Sequence, residues 1–103
     1  MAKVKVFALY RKPDDVEAFM RHYQEVHLPL VRKTPGLERI EVNRVTGEGS
    51  GQEPEYFLIT EMVYPDQDAF RTAIRSDENR AVMRDAGQLA GDRLTVYISE
   101  VME

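Results

Sequence analysis

"KVKVFALYRKPDDVEAF", residues 3 to 19, changes its period in the middle. Over residues 3 to 10 the pattern has a period of two. Val4, Val6, Ala8 and Tyr10 fall on one face, and Lys3, Lys5, Phe7 and Leu9 on the other. With β-branched and aromatic types this predicts a strand. The second face starts charged and turns apolar, so the far end of the strand is expected to be covered on both sides. After Pro13-Asp14-Asp15 the steps become three and four: Val16, Phe19, Met20, Tyr23, Val26, His27 and Leu30. That is one stripe of an amphipathic helix, and an Asp ahead of it supplies the N-cap. A strand feeding directly into a capped helix is the start of a β-α-β unit.

Downstream the unit repeats. Pro29 lacks an amide proton and crowds the turn before it, so the helix is expected over 15–27, with a looser turn through Thr34 and an end at Pro35-Gly36. LERIEVNRVT (37–46) alternates as a strand. GEGSGQEP (47–54) is a turn-rich link. EYFLITEMVY (55–64) is the most apolar segment and reads as the most buried strand. Pro65-Asp66 caps a second helix with Ala69, Phe70, Ala73 and Ile74 as its stripe. Ser76-Asp77-Glu78 restarts a helix through Ala81, Val82 and Met83, and RLTVYISEVM (93–102) is the last strand.

The order βαββαβ predicts an α+β, ferredoxin-like fold: a four-stranded antiparallel sheet with both helical segments on one face. The opposite face is then bare. By alternation it carries Phe7, Leu9, Phe57, Ile59, Val63, Tyr97 and Val101. Apolar surface of that extent calls for a cover, and a second copy of the chain supplies one, so a homodimer is expected.

A chain of 103 residues makes one domain. Hydrophobic residues are 43% and charged residues 31%, the balance of a globular protein and not of a disordered one. The net charge of −4, with both signs interleaved, argues against a nucleic-acid partner. No cysteine is present, which excludes disulfides, thiolate metal sites and cysteine nucleophiles. The longest apolar run is far too short to span a membrane. Met1-Ala2-Lys3 leads straight into a strand pattern without a leader, so a cytoplasmic location is expected.

The chemistry-bearing residues concentrate in "HYQEVHLPLVRKTPG", residues 22 to 36. On a regular helix His22 and His27 stand ~140° apart, so one metal ion cannot take both, and no metal site is expected. His22 falls off the apolar stripe and reads as an incidental surface residue. His27 lies on the stripe. It is either a structural histidine bonded to a backbone carbonyl or a base, one nitrogen held and the other turned into a cleft. Tyr10, Tyr23, Phe57, Tyr64 and Phe70 are the aromatics that could line such a cleft, although core packing is the more common role for each of them. Nucleotide-binding and serine-hydrolase motifs are absent. The glycines of 47–51 have no following helix with which to hold a phosphate.

Phe19-x3-Tyr23-x3-His27-x-Pro29-Leu30, followed by Gly36-Leu37, resembles the EthD-like family, small dimeric α+β barrel proteins related to polyketide cyclases, muconolactone isomerases and antibiotic-biosynthesis-type monooxygenases. The resemblance covers nearly the whole chain in length and element order. It implies a homodimer forming an α+β barrel and a role in small-molecule pathways such as ether degradation. It also implies a small hydrophobic ligand, no cofactor, His27 as the acid/base, and Tyr23 as its cleft-lining neighbour; Leu30, on the same helix stripe, is a further binding candidate. Three functions stay open. The chain is a cofactor-free lyase, isomerase or cyclase acting on a small hydrophobic carbonyl compound, a non-catalytic binding or accessory protein, or a haem- or oxygen-linked monooxygenase.

Overall fold

The computed structural model describes residues 2–103. Its elements are β1 (Val4–Tyr10), α1 (Val16–His22), a π-helical turn (Tyr23–His27), α2 (Leu28–Arg32), β2 (Arg39–Arg44), β3 (Leu58–Tyr64), α3 (Gln67–Ile74), α4 (Asp77–Leu89), a single 3₁₀ turn (Gly91–Arg93) and β4 (Leu94–Glu100). The strands form one antiparallel sheet in the order β2-β3-β1-β4. This is the ferredoxin-like α+β arrangement expected from the period changes.

The helix starts follow from local chemistry. Asp15 accepts a hydrogen bond from the Ala18 amide, Asp66 from the Ala69 amide and Ser76 from the Asn79 amide. Each bond satisfies one of the amides that a helix start leaves without a partner. The turn closing the first helical segment passes through Gly36 at φ +77°, a conformation that disfavours a Cβ, with Ala69 packed close by.

Pro29 does not end the helix. The axis continues through α2, and the adjustment happens one turn earlier. A proline ring collides with the carbonyl four residues back, here that of Glu25, and the backbone avoids this by widening. The amide of Leu28 reaches back five residues to the Tyr23 carbonyl, the π pattern. The extra residue shifts the phase of everything that follows. Leu28 and Val31 become the buried residues, Val26 is 42% exposed, and Leu30 is only half-buried.

Register sorts the sheet faces. Val4, Val6, Ala8 and Tyr10 lie beside Tyr64, Met62, Thr60 and Leu58 of β3, and Val6 and Ala8 lie beside Ile98 and Val96 of β4. These face the helices. Phe7 pairs with Tyr97, and Leu9 with Ile59, on the bare face, where Lys5 and Glu61 form an ion pair at 2.5 Å. Phe57 departs from the alternation that assigned it to the bare face. It precedes the first regular residue of β3, and its ring meets Phe19 edge-on at 6.1 Å within the helix-side core. That core holds Tyr10, Phe19, Tyr23, Leu28 and Leu58, all nearly inaccessible.

Leu58 is 1% exposed at the centre of this cluster. Leu58→Ala is expected to lower the unfolding free energy by about 2–5 kcal/mol, whereas Asp66→Ala, which removes only a cap, should cost about 1 kcal/mol. Urea denaturation of the two proteins measures both values.

Candidate active site

The wider turn at Tyr23–His27 decides which side chains meet. Hydrogen bonding from i to i+5 stacks residues five apart along the axis, where an α-helix would splay them. His22 and His27 are therefore on one side of the segment, and both reach the same residue of α4. His27 Nδ1 is 2.9 Å from Oδ2 of Asp85, and His22 Nε2 is 2.8 Å from Oδ1. The imidazoles take opposite oxygens of one carboxylate, so they do not converge on a common point.

His22 is thus not incidental. Its side chain is about one-third exposed, and it closes the outer side of the carboxylate. The group that holds His27 is a carboxylate and not the backbone carbonyl that the sequence suggested. Asp85 itself gave no signal. It lies in a charged stretch, "NRAVMRDAG", and only its position one turn beyond Val82 on the cavity side of α4 hinted at an inward side chain.

An ionised carboxylate only accepts, so His27 donates through Nδ1–H and its Nε2 carries the lone pair. That nitrogen points toward the hydroxyl of Tyr10 at 3.4 Å, a long contact. The Tyr23 ring stacks on the imidazole with centroids 5.5 Å apart, and its hydroxyl bonds Thr60 Oγ1 in the floor of the sheet. Both ring nitrogens have protein partners, and an open space lies beside them.

That space is a cavity of about 280 Å³ between the helices and the sheet, near the lower end of the range for small-ligand pockets. Its polar end is built from Tyr10, Tyr23, His27 and Thr60. Val6, Met62, Phe70, Val82 and Leu94 are among its apolar walls, with Tyr64 and Asn79 adding further polar atoms. The mouth opens between α3, α4 and β4, where Ile74, Met83, Val96 and Ile98 are each 45–61% exposed. Of the residues picked out in the sequence, His27, Tyr10, Tyr23, Tyr64 and Phe70 meet at this cavity. Phe57 lies in the core behind Phe19, and Leu30 is carried off the cavity by the phase shift after the π turn.

Burial sets the protonation states. The Tyr10 hydroxyl is pushed well above the usual phenol range by burial, then by the neighbouring Tyr23 and Asp85. Tyr23 and Tyr64 are raised by burial as well. All three therefore remain hydrogen-bond donors at neutral pH. Burial lowers the proton affinity of His27 below its ordinary 6.5, more than Asp85 restores it. Burial alone would raise Asp85, but the hydrogen bonds from His22 and His27 outweigh it and hold the carboxyl below the usual 3.8. The resting site is a neutral imidazole on an ionised carboxylate.

These directions fix the pH dependence of stability. As pH falls through 6.5 the unfolded chain binds a proton at His27 that the native chain resists, so the folded state loses stability. A second loss follows below 3.8, as the native carboxylate of Asp85 is forced to protonate. The urea midpoint is expected to fall between pH 7 and pH 5, and His27→Gln should flatten that part of the curve. An unchanged slope in the variant would contradict the assignment.

The comparisons with known proteins agree with this architecture. The EthD domain family matches residues 11–93. A solved EthD-family protein of Bacillus halodurans is 43% identical, with a TM-score of 0.91 over 99% of this chain and 100% of its own. An uncharacterized 11.0 kDa protein of Rhodococcus erythropolis is 23% identical over 93% of this chain and 92% of its own length. Two more distant structures share the fold alone. One is a cofactor-independent oxygenase of Streptomyces nogalater, 16% identical with a TM-score of 0.65 over 98% and 92% of the two chains. The other is described as a dimeric ferredoxin-like protein of Thermobifida fusca, 18% identical with a TM-score of 0.63 over 97% and 92%. The chain belongs to the EthD family.

Proposed function

We propose that the chain takes a small hydrophobic carbonyl compound into the cavity and that His27 moves a proton on it, as a cofactor-free lyase, isomerase or cyclase. The observation that carries this reading is the tautomer of His27: Asp85 holds Nδ1–H, so Nε2 keeps its lone pair at the polar end of the cavity, with only a long contact to Tyr10. A general base must have its tautomer set and its free nitrogen within reach of the ligand. Nε2 would take the proton beside the carbonyl, and the electron pair would pass to the carbonyl oxygen. A tyrosine hydroxyl then donates to the forming enolate. Tyr10 is the nearer donor, and Tyr64 lines the same cavity. In the apolar surroundings such a hydrogen bond is stronger than in water.

A binding or accessory role without catalysis is the second reading. It is favoured by the Tyr10–His27 contact, which gives Nε2 a protein partner at rest. Both readings include a homodimer. Phe7, Leu9, Ile59 and Tyr97 form the apolar part of the bare sheet face, and burying them against a second copy removes them from water. The cysteine-free composition fits a reducing, cytoplasmic setting, and among the described residues no helix is long and apolar enough to cross a membrane.

Small ketones and esters that raise the melting temperature identify the ligand class. NMR in D₂O then reads exchange of the proton beside their carbonyl. His27→Ala is expected to stay folded and to slow that exchange by about 10²–10⁴-fold. Exchange as fast as in the unaltered protein would leave only the binding role. Sedimentation should return twice the 11.9 kDa chain mass. A single-chain mass would leave the sheet face without its proposed cover.

A further inference from the structure

We propose that His22 is a positioning residue for His27: by holding Oδ1 of Asp85 it fixes the carboxylate that orients the buried imidazole and limits how strongly Nε2 takes up a proton. The proposal rests on the reading of His27 as the base and extends it outward by two residues.

The geometry gives each oxygen of Asp85 one imidazole, at 2.8 Å and 2.9 Å. Because the carboxylate only accepts, His22 must donate through Nε2–H. A carboxylate held at both oxygens cannot rotate about its Cβ–Cγ bond without breaking one of the two bonds. The plane of Asp85, and with it the direction of the Nδ1–H bond of His27, is therefore set from outside. The charge is shared in the same way. A donor on Oδ1 draws negative charge from Oδ2, which leaves less to stabilise a proton on His27. The side chain of Asp85 is only 9% exposed, so water has little access with which to replace His22.

His22 lies at the boundary between this arrangement and solvent. Its side chain is 37% exposed and borders an outer groove that Asp14, Asp15 and Arg93 also line. His27 faces Tyr10 from β1, Tyr23 from its own turn and Asp85 from α4. Of all these groups, Asp85 alone touches both imidazoles.

The test follows the proton on His27 directly, by ¹H–¹⁵N NMR titration of the full chain without substrate. His22→Ala should raise the His27 midpoint by about half a pH unit or more, because Asp85 then serves one imidazole alone. His22→Gln, whose amide can still donate to Oδ1, should return most of the way to the unaltered value. A folded His22→Ala protein with an unmoved midpoint overturns the proposal, and so does a glutamine variant that shifts as far as alanine. Should the alanine protein fail to fold, His22→Asn, whose amide is too short to reach Oδ1, takes its place with the same two outcomes. None of these readouts depends on turnover. If His27→Ala retained proton exchange while His22→Ala moved the His27 midpoint, the base assignment would fall and the positioning role would stand.

Discussion

Pro29 has no amide proton to offer the carbonyl of Glu25, and its ring crowds that carbonyl, so the helix before it must widen. The π turn at Tyr23–His27 is the result, and the rest of the site depends on it. In a regular α-helix His22 and His27 would point in well-separated directions. With the extra residue in the turn they stack on one side and face α4 together. The same shift turns Leu28 and Val31 inward and leaves Leu30 off the cavity. π turns recur at functional sites for this reason: one added residue re-aims a side chain without breaking the helix that carries it.

Asp85 makes that aim chemically useful. Burial of an imidazole disfavours its charged form, and burial of a carboxylate disfavours the anion, so either group alone would be a liability in the core. Together they satisfy each other. The carboxylate stays ionised because two N–H groups point at it, and His27 stays neutral because its ring is buried. The polar end of the cavity is thereby confined to a few oriented atoms, those of His27, Tyr10, Tyr23 and Thr60, while apolar walls supply most of the remaining surface. Such a pocket suits an apolar molecule with one polar atom to be held in place.

The two faces of the sheet divide the work of the fold. The helix side carries the core and the cavity, and its register places Thr60 under Tyr23 and Tyr10 beside Leu58. The other side is a mixed surface of aromatic and aliphatic side chains around the Lys5–Glu61 pair. The ion pair is accommodated among apolar neighbours because its two partners lie on adjacent strands, where opposite charges stabilise each other.

The sequence by itself determined the element order, the α+β class, the three helix caps and the place of His27 on the buried side of its helix. Each depends on contacts within a few residues: a period of two or 3.6, an Asp or Ser at a helix start, an aromatic-histidine-proline spacing. The tertiary structure decided the phase of the first helical segment after Tyr23, the pairing of His22 with Asp85, and the burial of Phe57. A π turn has no period of its own to read. Asp85 is separated from His27 by 58 positions and is joined to it only when α4 docks against the first helix. Phe57 sits one residue before its strand becomes regular, where alternation no longer predicts the side a ring will take. Local physics writes the elements into the sequence, but the meeting of two histidines on one carboxylate is a property of their packing.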